Sequence, residues 1–491
     1  MRRADLETDR TGELRLAIAA ALLLVLARSF VPLAYEQVAF DSDQAIVGLM
    51  AKHLSELRAF PLFFYGQNYM LGVQAWIAAP FVWLGGATVT MIRLPLFVIN
   101  GAVAALLIAG IARAGLRPWL AFVAVLPFLT TTPVISLALY ATLGASVEPF
   151  LYLIALWALR QRPLAFGALL CFGALHREFT ILALPALAVV HAVERRPVRW
   201  RSVALGALGF AAVWLVVDVL TIARHAGSLA QEAETIGRWL SPDAGGYLAR
   251  TWSLVTVGVP VLFGARRIEL DHYSVNSTIA TGSMVAAAAL AIAALVALAR
   301  LGWTVSNRDR RARLSGASFL LYLGLVGLMT LAVYGANGRI DPIRVPLLRY
   351  VLFGLLVPVA VFGAFLLSER SRVWLTVVTA ALAVWAAFTL RDNVLLVREY
   401  RSAPPPNEFR VLADYLVAHR IQYGYAMYWD CYVVDFLSQE RVILASTDFI
   451  RIEAYQRLVD AREKSAASIE RMPCTAGARL ASWCVDDPLK R

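Results

Sequence analysis

Charge is what this sequence has least of. Only 16% of its 491 residues are Asp, Glu, Lys or Arg, against roughly 25% in soluble domains. The deficit falls in long apolar runs separated by short charged loops, which excludes an ordinary soluble chain and is the pattern of a multi-span membrane protein. Mean hydropathy is +0.64. Cysteine is scarce as well, with four residues, and no pair has the C-x-x-C spacing of a zinc site. Cys171 lies in an apolar run; Cys431, Cys474 and Cys484 lie near the C-terminus, where a Cys474–Cys484 disulfide would suit an oxidising compartment. There is no internal repeat and no low-complexity tract. Nor is there a basic face interleaved with aromatics, so the net charge of +12 speaks for membrane topology and against a nucleic-acid partner.

What is present are apolar runs of spanning character. They predict about eleven spans, near 16–35, 94–112, 118–139, 147–160, 163–176, 178–193, 202–222, 279–300, 315–335, 348–367 and 372–390. The first follows Arg2, Arg3, Arg10 and Arg15 and reads as an uncleaved first helix, since many spans follow it. Arginines cluster at Arg113/Arg117, Arg160/Arg162, Arg195 to Arg201, Arg308 to Arg313 and Arg370/Arg372. The positive-inside rule places these loops and the N-terminus in the cytoplasm. The alternation then works only if Leu71–Gly86 does not cross, so that run reads as a re-entrant or interfacial helix inside an outer loop, 36–93. The runs at 147–160, 163–176 and 178–193 are short beside the ~20 residues a span needs.

Residues 1–390 thus form a mainly helical transmembrane bundle, and 391–491 a small α/β domain outside the membrane. Ser402-Ala-Pro-Pro-Pro406 reads as a stiff linker. Beyond it the spacing predicts a helix over Glu408–His419 and strands over Gln422–Trp429, Val433–Leu437 and Arg441–Ala445.

The first outer loop carries the chemistry. Asp41 and Asp43 stand just before an amphipathic stretch, Ile46 to Leu57, expected to lie at the membrane surface. Asp43 there is either a helix N-cap or a positioned general base. Gln67 and Gln74 follow among aromatics, a mixture that suits sugar contacts and an interfacial belt equally. Glu148 opens a later run, and His176-Arg177-Glu178 interrupts another. Ionisable groups at membrane depth point to a site, a short outer turn being the plainer alternative. Arg349-Tyr350 opens the run 348–367, after Arg339, Asp341 and Arg344. An arginine at an outer span end suits an anionic headgroup such as a lipid phosphate.

Taken in order, these motifs resemble a family. Asp41-Ser-Asp-Gln-Ala45, Arg93-Leu-Pro95 and Arg349-Tyr350 resemble the first-loop acid, the arginine-leucine-proline and the late arginine-tyrosine of the GT-C membrane glycosyltransferases. That family includes the protein O-mannosyltransferases and the aminoarabinose transferases. Phe63-Phe-Tyr-Gly-Gln67 and Tyr428-Trp-Asp430 resemble family-39-like bacterial members. The resemblance implies inverting transfer of a hexosyl or pentosyl group from a polyprenyl-phosphate donor to a lipid, glycan or protein hydroxyl. It places this at the outer face of a bacterial inner membrane. It makes Asp43 the base with Asp41 beside it, and Glu148 the second-loop acid. It departs from the pattern in having Gln44 where the family has Glu, and Tyr69-Met-Leu-Gly72 where it has a Lys/His-Pro-Pro-Leu stretch.

On the residues themselves, Glu148, His176, Arg177, Glu178, Gln67, Gln74, Arg349 and Tyr350 are candidates for donor or substrate binding. Asp41, Asp43 and Glu148 could hold a divalent cation such as Mg or Mn, though a monophosphate leaving group beside arginine does not require one. The alternative is a lipid or sugar flippase, with His176, Arg177, Glu178 and Asp218 lining its path.

Overall fold

The computed structural model describes residues 3–144, 146–223, 244–270, 275–306, 314, 316–336, 345–473 and 477–488. Arg308, Arg310, Arg311, Arg313, Arg339, Asp341, Arg344 and Cys474 lie outside the described residues. Cys484 is disulfide-bonded, and Cys171 and Cys431 are free and buried.

The chain is mainly helical and multi-pass. Among the described residues, 7 helices are long and apolar enough to cross a membrane. They include α1 (Arg3–Ala34), α4 (Val89–Arg113), α10 (Trp200–Ala223), α12 (Met284–Ser306), α13 (Ser318–Gly335) and α15 (Arg372–Ser402). The remaining one is Leu348–Ser368, which starts as a 3-10 stretch (Val345–Leu355) and continues as α14 (Leu356–Ser368). Four apolar helices are shorter: α3 (Val73–Gly85), α7 (Glu148–Leu159), α8 (Pro163–His176) and the pair formed by a 3-10 turn at Glu178–Leu182 with α9 (Ala183–Val193). At 1.5 Å per residue a 13-residue helix is about 20 Å long, short of the ~30 Å hydrocarbon core. The run Leu71–Gly86 therefore forms a stub, packed on α4 and on α2 (Ser42–Ser55).

The run expected as one span over 118–139 is broken. It forms α5 (Pro118–Leu129) and α6 (Pro133–Tyr140), which meet at 87°. Pro133 has no N–H to give and pushes Thr132 into extended backbone (ψ 160). The carbonyls freed by the break are partly reused. Asn393 Nδ2 donates to Thr131 O at 2.9 Å. Arg28, buried in the bundle, donates to Thr131 Oγ1 at 3.0 Å and to Asn100 Oδ1 at 2.7 Å.

Helix α15 runs to Ser402, twelve residues beyond where hydropathy predicts its span to end at 390. Its extension is polar yet anchored: Asp392 accepts from Gly282 N at 2.8 Å, and the Tyr400 hydroxyl donates to Val275 O. The chain between α10 and α12 holds α11 (Ala244–Ser253) and a two-residue antiparallel ladder that pairs β1 (Ile268–Glu269) with β2 (Ala280–Thr281).

The C-terminal unit is α/β. Its sheet has the order β4-β3-β5-β7-β6, built from β3 (Tyr423–Ala426), β4 (Ile443–Ser446), β5 (Ala467–Arg471), β6 (Ala478–Leu480) and β7 (Trp483–Asp486). β3 pairs in parallel with β4 and β5; β5, β7 and β6 pair antiparallel. Helix α16 (Glu408–Ala418) precedes the sheet; α17 (Tyr428–Leu437) and α18 (Glu453–Asp460) connect its parallel strands. Two expected strands need correction. Val433–Leu437 is helical, and Gln422–Trp429 is a strand only at Tyr423–Ala426 before α17 begins. α17 is buried from Tyr428 through Leu437 except at Trp429, so its sequence shows no polar face by which its helical period could be read.

The same covering corrects the reading of α2. It does not lie open on a membrane surface. Ala45, Ile46, Val47, Leu49, Met50 and Ala51 are all buried, between α3 on one side and α17 on the other. Its backbone comes close to α17: a Cβ on Gly48 would stand 2.5 Å from the Phe436 ring.

Candidate active site

The site begins at the start of α2. Asp41, in extended backbone (φ −129, ψ 177), is the N-cap, and its carboxylate accepts from Gln44 N at 3.0 Å. Capping is therefore done by Asp41, not Asp43. Asp43 sits in the first helical turn, free of that duty, and accepts a hydrogen bond from the Tyr428 hydroxyl of α17. Ser42 Oγ donates to Tyr428 O at 2.5 Å. Burial and then the neighbouring Asp43 charge raise the Asp41 carboxyl to about 6, against the pull of the Gln44 N–H and of Arg349. Burial, with Asp43 alongside, raises the Tyr428 phenol and keeps it a donor.

The loop before α2 is held from behind. Arg93 is buried and donates to Pro32 O at 2.8 Å, Val38 O at 2.7 Å and Gln44 Oε1 at 3.3 Å. It ties the end of α1 to the beginning of α2, so the Arg-Leu-Pro stretch sets the position of the two aspartates.

Asp41, Asp43 and Arg349 line one cavity of about 1620 Å³, which lies between the helical bundle and the C-terminal unit. Arg349 Nη2 donates to the Tyr350 hydroxyl at 3.1 Å, and its guanidinium lies 5.0 Å from that ring's centre. Arg177 lies 4.7 Å from the same ring. Arg349 Nε and Arg177 Nη2 are buried and meet no acceptor among the described residues. Two guanidiniums thus pack against one tyrosine ring, and of the two only Arg349 lines the cavity.

The other candidates fall elsewhere. Glu148, His176 and Gln74 form a second buried cluster, on the loop before α7. Ser146 N donates to Glu148 Oε2 at 2.9 Å, Gly144 N donates to Gln74 Oε1 at 2.7 Å, and Gln74 Nε2 donates to Ser146 Oγ at 3.2 Å. His176 bonds Gly144 O and, through Nδ1, the Tyr152 hydroxyl at 2.7 Å. These groups shape the loop; among the described residues Glu148 Oε1 meets no hydrogen-bond partner. Glu178 is exposed on the 3-10 turn. The Gln67 amide, turned to satisfy both its atoms, accepts from Arg451 at 2.9 and 3.0 Å. Asp218 lies on α10, which packs chiefly on α8. Among the described residues no group of three or more His, Cys, Asp or Glu gathers to hold a metal ion. The triad of Asp41, Asp43 and Glu148 is thus not assembled, and no step below passes through a metal.

The tail supplies residues that residue-level reasoning passed over. Trp429, Arg471 and Trp483 also line the cavity. Arg471 holds buried Asp430 at 2.6 and 3.0 Å. Of these only Trp429 carries a signal in the sequence, the Tyr428-Trp-Asp430 motif; Arg471 and Trp483 lie far along the chain and carry none.

No protein-family model matches the sequence, and no curated protein does. Solved structures do match. ArnT from Cupriavidus metallidurans bound to undecaprenyl phosphate aligns with a TM-score of 0.64 at 12% identity, over 97% of this chain and 98% of that one. Its apo state aligns with a TM-score of 0.60 at 13% identity. The Archaeoglobus fulgidus oligosaccharyltransferase in complex with Zn and sulfate aligns with a TM-score of 0.52 at 12% identity, over 93% of this chain and 68% of that one. The fold is that of the GT-C glycosyltransferases. At these identities the likeness concerns the GT-C backbone; the side chains have to be read from this chain itself.

Proposed function

We propose that the protein is an inverting glycosyltransferase that moves a hexosyl or pentosyl group from a polyprenyl-phosphate donor to an acceptor hydroxyl at the outer face of a bacterial inner membrane. The observation that carries this reading is the shared cavity: two carboxylates at a rigidly held helix start face Arg349 across it. The undecaprenyl phosphate bound to ArnT, over nearly the whole of a matching fold, supports the donor class.

In this reading the donor phosphate lies against Arg349, which lines the cavity together with both aspartates. Asp43 accepts the proton of the acceptor hydroxyl. The acceptor oxygen bonds to the anomeric carbon from the face opposite the phosphate, and the carbon–oxygen bond to phosphate breaks with its electron pair left on phosphate. Configuration inverts because attack and departure use opposite faces. Tyr428 orients Asp43 through its hydroxyl, and Asp41 fixes the helix start that carries it. A positioned base contributes about 10²–10⁴-fold, and a fixed cation opposite a developing phosphate charge lowers the barrier further.

The test is donor choice. Purified full-length protein is given short synthetic polyprenyl-phosphate sugars or the matching nucleotide sugars. Turnover is expected with the lipid-linked set. Turnover with nucleotide sugars alone would assign a different enzyme class.

A further inference from the structure

The parallel part of the C-terminal sheet has a feature that bears on what the cavity binds. The chain passes from β3 to β4 on one side, then crosses back to β5 on the other. The crossover helices lie on opposite faces. Gly424 and Ala426 face the α17 side, whereas Tyr423 and Tyr425 pack with Ala445 and Val459 on the α18 side. In open α/β sheets such a reversal leaves a crevice beyond the carboxyl ends of the diverging strands, where ligands bind. Here that crevice lies beyond Ala426 and Arg471. The residues at its mouth are Trp429, at the start of α17, and Arg471, at the end of β5. Both line the cavity that holds Asp41 and Asp43.

The surface offered there suits a sugar ring. Trp429 is 50% exposed in an otherwise buried helix. Its indole is braced edge to face by Tyr428 at 4.9 Å, the residue that bonds Asp43. The ring is therefore fixed close to the proposed base. Trp483, 2% exposed, lines the same wall, and its indole N–H meets no acceptor among the described residues. The charges say which sugars. Glu399 and Glu408 line the cavity along with the two aspartates, and the arginines on its wall are Arg267, Arg349 and Arg471. Glu399 is held by Ser277 and Thr278, and Glu408 by Ser482, so the bonds shown for these two come from neutral groups. Of the lining arginines Arg471 is committed to Asp430. Among the described residues Asp41, Asp43, Glu399 and Glu408 thus outnumber the remaining lining arginines, Arg267 and Arg349; with Arg349 given to the donor phosphate, a phosphate-bearing acceptor would meet mostly like charge.

We infer that the C-terminal unit holds the acceptor, and that the acceptor is a neutral saccharide ring stacked on Trp429. This rests on the glycosyltransferase reading for its catalytic consequence, but not for binding itself, so the two are measured separately. Full-length protein in nanodiscs is titrated with neutral hexose di- and tetrasaccharides and with their 6-phosphate esters. Neutral saccharides are expected to bind at least about tenfold tighter than the esters. Trp429→Ala should weaken their binding about tenfold, the scale of one aromatic contact, while Trp429→Phe stays within about threefold and both variants keep the wild-type melting temperature. In turnover, Trp429→Ala should raise acceptor KM and leave donor KM unchanged. Absence of saccharide binding, indifference to Trp429→Ala, or preference for the phosphate esters would overturn the inference. Saccharide binding that depends on Trp429, with no transfer from any donor, would reject the transferase reading and keep the subsite.

Discussion

Two carboxylates two residues apart carry opposite expectations. Asp43→Asn keeps the side-chain shape but removes the base. Transfer should fall by about 10²-fold or more with donor affinity retained; single-turnover rates and donor titration measure the two effects. Near-normal turnover in this variant would move the base to Asp41. Asp41→Asn is expected to act on stability. Its folded carboxyl sits at about 6, above its ordinary 3.8. The raised value means the fold prefers the protonated form. That contribution is present below pH 3.8 and is lost as pH rises through about 6. Asn caps a helix as well as Asp does and carries no charge. Asp41→Asn should therefore stabilise the protein at pH 7 by about 1–2 kcal/mol and leave it unchanged at pH 4. Melting curves at the two pH values check this, and equal shifts at both would remove the buried-charge explanation.

At the scale of elements, α2 is the joint between bundle and tail. Its N-terminal end meets α17 through Tyr428 and its middle through the bare face of Gly48, and its C-terminal end meets Glu440 in the turn after α17. Glu440 receives Lys52 Nζ at 2.6 Å, His53 Nε2 at 2.9 Å and the Tyr455 hydroxyl at 2.6 Å. Burial alone would raise its carboxyl; the hydrogen bonds from His53, Arg58, Lys52 and Tyr455 outweigh burial and hold it well below the ordinary carboxylate range. Gly48→Val puts branched carbons where the Phe436 ring lies. Overpacking of this kind costs about 1–3 kcal/mol and should loosen the tail from α2. Faster tryptic cleavage after Arg401, exposed just before the proline linker, together with reduced transfer, is the expected result; a cleavage rate like wild type would show that the joint tolerates the added volume. Sequence periodicity missed this joint for a physical reason. α17 is buried on nearly every side and keeps no polar face, while the apolar face of α2 is the same whether lipid or protein covers it.

For the whole molecule the open quantity is orientation. Arginine clustering predicts the N-terminus and the loop after α12 inside, and the proline linker outside. Ser402 and Ser306 are exposed. With Cys171 and Cys431 replaced, a single cysteine at Ser402 should react with an impermeant thiol reagent in intact cells, and one at Ser306 only after lysis. The reverse pattern would place the cavity on the cytoplasmic side and rule out an outer-face donor site.

The sequence by itself determined the class of molecule: apolar runs too long for a soluble core, arginines grouped between them, and an acidic first loop before an apolar helix. Each is a local property, written in consecutive residues and read by composition or spacing. Tertiary structure alone decided where these features meet. It bends the 118–139 run at its threonines and Pro133. It gathers Gln74, Glu148 and His176 into a loop brace apart from the aspartates, and brings Tyr428 and Trp429, some 385 residues along the chain, to the carboxylates at the start of α2. Such contacts join distant segments through burial on several faces at once, and burial on every face erases the periodic pattern through which a sequence shows its partners.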